Sequence, residues 1–494
     1  MKNWIMLLAL MFSSFAFAMP TGTYGPCKRV NKNATRLKII ESEITVNGQL
    51  SKVFDIVQED GSPAIVKKKG GCFNLIVENH TSYPTGLHWH GLILPNSEDG
   101  VPYVTQLPIS PNNSYSYDFE VVQEGTYWAH THYGLQEQKL MAAPLILLPE
   151  DGAKYKDVIF MFESFTFKSI DEVWQGLRKE TISIMKEKGD QWIPTFDSFK
   201  PGGAGELNDV NFDAFLTNRR TLADPYVHLV EAGEKIRLRF INGSISSNFH
   251  VNIGELDGKI IAVDGNPVEP IDIDKFPIAV AQRVDVLVTI PKSGGAFPIL
   301  AQCQGRDLLT GAILKTKNSH TPKISEKSKF KAGAVSNEIE KKLIATNPLK
   351  DRLVDRTLKV ELQGNMKYYV WGINGYVWPK NQPLLVKKGQ RIEMVFINNT
   401  SMAHPMHLHG HVFQIIEMDG DKFSGAIRDT VLVLPGQTIK VIFDANNPGI
   451  WAMHCHNGYH LWGGMFTTVL YQDFDPIMFP KQEIEIYSKS YGGY

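Results

Sequence analysis

The sequence predicts an all-β protein built from three β-sandwich domains. Its composition supports this, because valine, isoleucine, phenylalanine and tyrosine are plentiful and stretches with a helical 3.6-residue period are scarce. In addition, 41 glycines and 27 prolines punctuate the 494 residues, as expected for many short strands joined by turns. A single strand pattern also recurs three times, at intervals too long for a solenoid repeat.

The recurring pattern is a strand of alternating apolar and polar residues that starts at a turn glycine and ends at an asparagine. It occupies residues 70–79, 233–242 and 389–398. Period-2 alternation is typical of a half-buried strand, and the terminal asparagine indicates a turn. The copies start 163 and 156 residues apart, so the repeating unit is a whole domain. We therefore predict domains over residues 19–150, 151–325 and 326–494.

The first 18 residues are typical of a secretory signal peptide. Lys2 gives the positive start, residues 4–17 form a short apolar core, and Ala16 and Ala18 give the small-x-small cleavage pattern. Cleavage after Ala18 predicts a periplasmic or secreted protein. No later segment is long and apolar enough to span a bilayer, so we expect no membrane association. The formal net charge of −1 predicts no binding to nucleic acid, and we expect a monomer.

Two segments depart from the strand pattern. Residues 168–200 are rich in charged residues with interspersed apolar ones, which favours a short helix inserted in the second domain. Residues 318–350 are rich in lysine, serine and asparagine and are predicted to link the second and third domains.

The four cysteines are predicted to have three different roles. Export permits disulfides, and Cys27 with Cys72 is the predicted pair. Cys303 is predicted to be a buried thiol. Cys455 lies between two histidines and is predicted to bind a metal.

Ten of the fifteen histidines lie in four short motifs, each of which contains one His-x-His pair. These ten are His88, His90, His130, His132, His404, His407, His409, His454, His456 and His460. Alternate residues of a strand face the same side, so each pair can present two imidazoles to one point. Two pairs lie in the first domain and two in the third. Eight imidazoles can therefore meet where these domains touch, and imidazole is a natural copper ligand.

A second correspondence links the first and third domains. Residues 125–132 align with residues 449–456, so that the histidine pairs coincide and Thr131 stands at the position of Cys455. The second domain has no comparable histidines and is predicted to be a spacer without copper ligands. The remaining histidines have no such pattern and are predicted to be structural; they are His80, His228, His250, His320 and His411.

The other ligand-type residues form a different set. Cys455 lies between two paired histidines, so its sulfur is expected to point away from the eight imidazoles. His404 and His460 can join it, with Met465 as a weak axial ligand. A His2Cys set with an axial methionine is the blue-copper electron-transfer pattern. Cys455 belongs to this set, and its sequence neighbours His454 and His456 belong to the eight paired histidines. Only a few covalent bonds therefore separate the two sets, and we predict that His454, Cys455 and His456 are catalytic residues.

At these motifs the sequence resembles the multicopper oxidases, a family that includes laccases, ascorbate oxidases and bacterial copper-resistance oxidases. All four histidine motifs are present, and the resemblance extends from about Val30 to Tyr471. It implies three cupredoxin-like Greek-key β-sandwich domains and four copper ions: one of type 1, one of type 2 and two of type 3.

The resemblance also implies a role for each ligand. The type 1 copper would be held by His404, Cys455, His460 and Met465. The type 2 copper would be held by His88 and His407. One type 3 copper would be held by His90, His130 and His456, and the other by His132, His409 and His454.

The sequence departs from the family in two respects. Many bacterial members place a proton-supplying glutamate directly after the last type 1 histidine, and here that residue is Leu461. Asp99 matches the acidic position near the type 2 copper and is our candidate for proton supply, with an Asp-Gly turn as the alternative. The methionine-rich tract that copper-resistance members often carry is also missing.

The resemblance implies a laccase-type reaction, in which one-electron oxidation of phenols or aromatic amines is coupled to reduction of dioxygen to water. The alternative donors are Cu(I) and Fe(II). We expect the donor to dock near an exposed His460. A copper nitrite reductase and a non-enzymatic copper store are the rival functions. The four His-x-His motifs argue against the first, and the complete ligand set argues against the second.

Overall fold

The computed structural model describes residues 27, 34–188, 195–197, 206–477, 479 and 483–484. The predicted signal peptide lies outside the described residues. Within them, strands dominate and form six sheets, two for each of three sandwiches, so the predicted all-β fold class of three cupredoxin-like β-sandwiches is confirmed. None of the helices in this part of the chain is long and apolar enough to cross a membrane.

The first sandwich is formed by strands between residues 35 and 148. These are β1 (Thr35–Val46), β2 (Gln49–Gln58), β3 (Ile65–Lys68), β4 (Cys72–Asn79), β5 (Leu87–His90), β6 (Ser114–Glu120), β7 (Gly125–Thr131) and β8 (Ala142–Leu148). Its sheets have the orders β2-β1-β4-β6 and β3-β8-β7-β5. Short 3-10 helices span Asn96–Glu98 and Gln136–Lys139.

The second sandwich begins at residue 156 and carries the inserted helices. Its strands are β9 (Lys156–Phe165), β10 (Ala214–Thr217), β11 (Tyr226–Leu229), β12 (Lys235–Asn242), β13 (Phe249–Asn252), β14 (Gly258–Val263), β15 (Asn266–Ile273), β16 (Lys275–Ile278), β17 (Arg283–Thr289), β18 (Ala296–Cys303) and β19 (Leu309–Lys315). The sheet orders are β10-β9-β12-β17-β14-β15 and β11-β19-β18-β13-β16.

The third sandwich contains the second half of the histidine motifs. Its strands are β20 (Arg356–Asn365), β21 (Val370–Ile373), β22 (Leu384–Val386), β23 (Arg391–Asn398), β24 (His404–Leu408), β25 (Phe413–Met418), β26 (Asp421–Lys422), β27 (Ile427–Arg428), β28 (Thr430–Val433), β29 (Thr438–Asp444), β30 (Ile450–Cys455) and β31 (Phe466–Tyr471). One sheet has the order β21-β20-β23-β29-β25-β26, and the other has the order β22-β31-β30-β24-β28.

The three sandwiches share two parallel strand pairings. In each, the first strand runs parallel to the strand of the recurring pattern: β1 to β4, β9 to β12, and β20 to β23. In each, an edge strand also runs parallel to the last strand: β3 to β8, β11 to β19, and β22 to β31. The strand pattern that recurs in the sequence therefore has equivalent strand partners in all three sandwiches.

The asparagine that ends each copy of the recurring pattern has a structural role. Asn79, Asn242 and Asn398 each end their strand and pin the following loop. Each side-chain amide donates to two backbone carbonyls, at distances from 2.7 to 3.1 Å. Each side-chain oxygen accepts the backbone N–H two residues later, at 3.0 or 3.1 Å. In the first and third sandwiches the pinned loop leads into a strand that carries a histidine pair.

The inserted segment holds two helices where the sequence predicts one. They are α1 (Ile170–Leu177) and α2 (Lys179–Lys188). Ser169 starts α1 with a capping box, since its hydroxyl accepts from the Glu172 N–H and the Glu172 carboxylate accepts from the Ser169 N–H. The Thr181 hydroxyl of α2 donates to the carbonyl oxygen of Tyr368, so the insertion reaches the third sandwich.

The predicted linker is a packed connection. It contains a 3-10 helix at Glu338–Lys342, and the carboxylate of Glu340 accepts two hydrogen bonds, at 2.7 and 2.9 Å, from buried Arg428.

The predicted disulfide and the predicted buried thiol at Cys303 are confirmed. Cys27 and Cys72 form a disulfide, with their Cα atoms 5.6 Å apart. Cys303 and Cys455 are buried free thiols.

Candidate metal centre

Strand pairing brings the histidine motifs together. In the first sandwich β5 pairs with β7, which places His88 opposite His130. In the third sandwich β24 pairs with β30, which places His407 opposite His454. All eight paired histidines are at most 6% exposed. Because the two strand pairs face each other, the eight imidazoles form one buried group, which we call the eight-histidine cluster.

Imidazole nitrogens from the two sandwiches approach each other within this cluster. The Nε2 atom of His454 lies 3.3 Å from that of His132 and 3.0 Å from that of His409. The Nε2 atom of His456 lies 3.3 Å from that of His130. Nitrogen lone pairs that point at one another repel unless a cation lies between them. Imidazole nitrogens are good ligands for copper, so a copper ion fits this arrangement.

The outward nitrogens fix the direction of the inward ones. Four Nδ1 atoms lie within hydrogen-bond distance of backbone carbonyl oxygens, which can only accept, so each Nδ1 carries the proton and Nε2 keeps its lone pair. The pairs are His88 with Asp99, His130 with Thr131, His407 with Asp429 and His454 with Cys455, at 2.8 to 3.0 Å. The inward Nε2 atoms of His88 and His407 are buried and have no hydrogen-bond partner among the described residues. Buried polar atoms of this kind fit metal ligands.

Two fully buried carboxylates connect the halves of the cluster. Asp99, which the sequence singled out, lies with Oδ2 2.9 Å from Nδ1 of His409 and with Oδ1 3.2 Å from Nδ1 of His88. Asp429 has the reciprocal arrangement, with Oδ1 3.1 Å from Nε2 of His90 and 3.6 Å from Nδ1 of His407. The sequence reasoning missed Asp429, because its contact with His90 spans 339 residues and follows no local pattern.

The cluster favours neutral imidazoles. Burial, strengthened by neighbouring imidazoles, lowers the pKa of six histidines of the cluster well below 6.5, namely His90, His130, His132, His407, His409 and His456. Burial has the same effect on the pKa of His404, which lies beside Cys455. Burial also lowers the pKa of His454 to about 4. Metal ions bind the neutral form of imidazole, so this protonation state suits the proposed ligands.

A second cluster surrounds Cys455. Its Sγ lies 3.5 Å from Nδ1 of His404 and 3.7 Å from Nδ1 of His460, and these two nitrogens are 3.0 Å apart. Met465 is fully buried beside them, since its carbonyl accepts the Cys455 N–H at 3.1 Å and its N–H donates to the His460 carbonyl at 3.0 Å. Burial raises the pKa of the Cys455 thiol well above its ordinary value, so the thiolate needs a cation beside it.

His460 is fully buried, so the expectation that it is exposed was wrong. The ring of Trp371 covers one side of it, with centroids 3.9 Å apart. Its Nε2 lies 3.0 Å from Oδ1 of Asp209. The same carboxylate accepts hydrogen bonds from Tyr369 at 2.8 Å and from Asn457 at 2.7 Å.

Asp209 also changes the interpretation of the second domain. Burial by itself would raise the pKa of Asp209, but His460 and the hydrogen bonds hold it below its ordinary value, so the carboxylate is charged. Among the described residues, no histidine, cysteine or acidic residue from 151–325 belongs to a group of three or more side chains placed to bind one metal ion. The described part of the second domain therefore contributes no residue to such groups, but its Asp209 contacts His460 directly, so this domain is more than a spacer.

The surroundings of Leu461 are apolar. Leu461 lines a small cavity of about 30 Å³ that reaches His132, together with Val101, Val104 and Phe466. On another side of the cluster, Oε2 of Glu137 lies 3.6 Å from Nδ1 of His130, and burial raises the pKa of Glu137 well above its ordinary value. The sequence reasoning missed Glu137, which lies in a 3-10 helix without a recognisable motif.

The chain is similar to known multicopper oxidases. Family models described as multicopper oxidase match residues 38–152, 174–322 and 352–475. The multicopper oxidase MmcO of Mycobacterium tuberculosis is 34% identical over 418 residues, covering 80% of this chain and 78% of its own length. Copper resistance protein A of Escherichia coli is 27% identical, and the match covers 88% of this chain and 91% of that protein. The structure of Fet3p, described as a multicopper oxidase that functions in iron import, matches with a TM-score of 0.73 at 20% identity, covering 92% of this chain and 94% of that one.

The fold and the two clusters define a copper-dependent oxidoreductase. The chain belongs to the multicopper oxidase family.

Proposed function

We propose that this enzyme couples one-electron oxidation of a small donor at the Cys455 cluster to four-electron reduction of dioxygen to water at the eight-histidine cluster. The observation that supports this most strongly is that both donor sets are buried, complete and joined by the tripeptide 454–456. When bound, four copper ions would supply the single-electron chemistry at the first cluster and the dioxygen chemistry at the second.

The ligand assignment follows the family pattern. We assign His404, Cys455, His460 and Met465 to type 1 copper. We assign His88 and His407 to type 2 copper. For the type 3 pair we assign His90, His130 and His456 to one ion, and His132, His409 and His454 to the other.

The protein's own groups have three tasks in this mechanism. Carbonyl and carboxylate partners hold six of the eight cluster imidazoles in one tautomer and one orientation, namely those of His88, His90, His130, His407, His409 and His454. The sandwich cores exclude bulk water from both clusters. Asp99, which lies against His88 and His409, is our candidate for delivering protons, because Leu461 offers no acid at the other family position.

The burial of His460 supports small metal-ion donors over phenols, which reverses the order that the sequence favoured. Asp209 and Trp371 cover the imidazole, so an aromatic ring cannot contact it directly. The charged Asp209 makes this side of the cluster attractive to a cation such as Cu(I) or Fe(II). Laccase-type oxidation of phenols is the second candidate, since outer-sphere transfer requires little shape complementarity.

Oxygen uptake by one preparation of copper-loaded protein tests these proposals. We expect blue protein that consumes dioxygen with Cu(I), Fe(II) and a phenol, and a kcat/KM at least about tenfold higher for a metal ion than for the phenol. Faster turnover of the phenol would reverse the donor order. Blue protein without oxygen uptake would favour a copper store, and reduction of nitrite without oxygen uptake would favour a nitrite reductase. Export and the monomeric state remain predictions from the sequence.

A further inference from the structure

A fully buried arginine of the second sandwich lies directly behind the eight-histidine cluster and touches both other sandwiches. Nε of Arg283 donates to the carbonyl oxygen of Thr126 at 3.1 Å, and the guanidinium lies 5.5 Å from the ring centre of Tyr127. Toward the third sandwich, its terminal nitrogens form a bidentate pair with Asp429, with Nη1 to Oδ1 at 2.8 Å. One side chain thus joins three domains at this point.

The carboxylate of Asp429, which pairs with Arg283, determines the orientation of the His90 ring. Nε2 of His90 lies 3.1 Å from Oδ1 of Asp429 and 3.2 Å from the hydroxyl of Thr430. A carboxylate only accepts, so Nε2 of His90 carries the proton. Its Nδ1 is buried and finds no hydrogen-bond partner in the described part of the chain, as expected for the ligand atom. His88 and His407 have the opposite arrangement, with Nδ1 anchored and Nε2 inward.

The backbone of the histidine motif is shaped around the same ion pair. Gly91, which follows His90, has a φ of +86°. A Cβ atom at this position would lie 2.4 Å from Oδ2 of Asp429 and 2.5 Å from Nη2 of Arg283. Both the left-handed backbone and the close approach require glycine. The ion pair therefore occupies space that any larger residue after His90 would need.

The pair also belongs to a chain of buried charges. Asp264 lies 3.7 Å from Nη1 of Arg283 and 3.1 Å from Nη1 of Arg428, and Arg428 is paired in turn with Glu340. Removal of one member of a buried ion pair leaves an uncompensated charge, which is strongly unfavourable. The orientation of Asp429, and hence that of His90, is thus maintained by residues from the second domain.

We propose that Arg283 is a positioning residue for the eight-histidine cluster. Through Asp429 it fixes the His90 ring with Nδ1 inward, and through Thr126 and Asp429 it holds the first and third sandwiches in register around the cluster. The second domain therefore helps to assemble a site to which it gives no ligand. This inference rests on the proposed function, because it assumes that the cluster binds copper.

Arg283→Gln, made in the full chain and loaded with copper, tests the proposal. The Cys455 cluster does not involve Arg283, so the blue absorption should remain. We expect fewer copper ions per chain by elemental analysis, loss of the magnetic coupling of the type 3 pair by electron paramagnetic resonance, and a fall in oxygen uptake of about 10–100-fold. Arg283→Lys retains the charge and should recover part of the coupling.

Arg239→Gln is the matched control. Arg239 is also fully buried and donates to the Thr126 hydroxyl, and it pairs with Asp285 and Asp157. Within the described part of the chain, neither of these carboxylates contacts a cluster histidine, so the control should keep its copper content and coupling.

Several outcomes would overturn the positioning role. Normal copper content and coupling in Arg283→Gln would do so. If that variant does not fold, Asp429→Asn, which is equal in size, is expected to show the same loss, and intact coupling in it would also reject the proposal. If neither Arg283→Gln nor Asp429→Asn folds while the control Arg239→Gln does, the role of Arg283 is purely structural and the proposal is rejected. Failure of the proposed function would show instead in the wild type, as missing colour or missing oxygen uptake.

Discussion

Nε2 of His460 lies 3.0 Å from Oδ1 of Asp209, although 251 residues separate them and they belong to different sandwiches. The imidazole therefore faces Cys455 with one nitrogen and a buried carboxylate with the other. Such a carboxylate orients the ring and makes it a stronger ligand. Since the carboxylate is negative, it stabilises the more highly charged, oxidised form of the proposed type 1 copper.

Asp209→Asn should raise the reduction potential of the blue site, because it removes a negative charge next to a ligand. We also expect oxidation of Cu(I) or Fe(II) to slow by about tenfold, through loss of attraction for the cation. A redox titration that follows the blue absorption measures the potential. Asp213→Asn is the matched control, since Asp213 binds Thr166 and Phe167. An unchanged potential, or an equal shift in the control, would contradict the prediction.

Asp99→Asn should impair dioxygen reduction while the blue site still accepts electrons. The substitution keeps the size of the side chain but removes the carboxyl group that connects His88 with His409 and that is the candidate proton donor. We expect turnover to fall by about 10–100-fold. Stopped-flow measurement would show normal bleaching of the blue colour by the donor and slow return of colour on mixing with oxygen. Equally slow bleaching would place the defect at the Cys455 cluster instead.

Cys455→Ser should abolish the blue colour and the oxidase activity together. The thiolate is the proposed ligand that gives the colour, and the backbone of residues 454–456 joins the two clusters. A serine hydroxyl replaces the soft thiolate by a poor copper ligand. Absorption spectra and oxygen uptake on the same sample measure both properties, with Cys303→Ser as the control, because Cys303 is a buried thiol in the second sandwich. Full turnover by colourless Cys455→Ser would exclude the proposed electron entry.

The sequence alone could predict the fold and the histidine clusters, because their signals are local. Asn79, Asn242 and Asn398 end equivalent strands, and alternate positions on a strand determine which histidines share a side. The direction of the Cys455 sulfur follows from the same alternation.

The surroundings of the clusters could not be predicted in this way. Asp209 contacts His460, Asp429 contacts His90, and Arg283 pairs with Asp429. In each of these pairs the two residues are more than 140 positions apart in the sequence. The side chains of Asp209, Arg283 and Asp429 have no motif, and their role arises only when the second sandwich packs against the others. The error about His460 has the same origin, since the residue that covers its Nε2 comes from another domain.

Glu98 provides a test of stability that is separate from catalysis. It lies in the 3-10 helix before Asp99, and its Oε2 accepts the Asp118 N–H at 3.2 Å. Burial raises the pKa of Glu98 from 4.5 to about 7, an effect that the Asp118 hydrogen bond only partly offsets. The folded protein therefore holds this proton more tightly than the unfolded chain does.

Glu98→Gln should stabilise the protein at high pH and have little effect at low pH. Below about pH 4.5 the carboxyl is protonated in both the folded and the unfolded state, so its titration does not change the free energy of unfolding there. As the pH rises towards about 7, the unfolded chain releases its proton first, and folding loses at most about 3 kcal/mol. Glutamine keeps the carbonyl acceptor for Asp118 and never ionises, so it escapes this loss. Unfolding temperatures measured from about pH 4 to pH 8 should diverge from those of the wild type with increasing pH, whereas Glu120→Gln, at an exposed position of β6, should follow the wild type. A constant difference across the range would show that ionisation of Glu98 is not the cause.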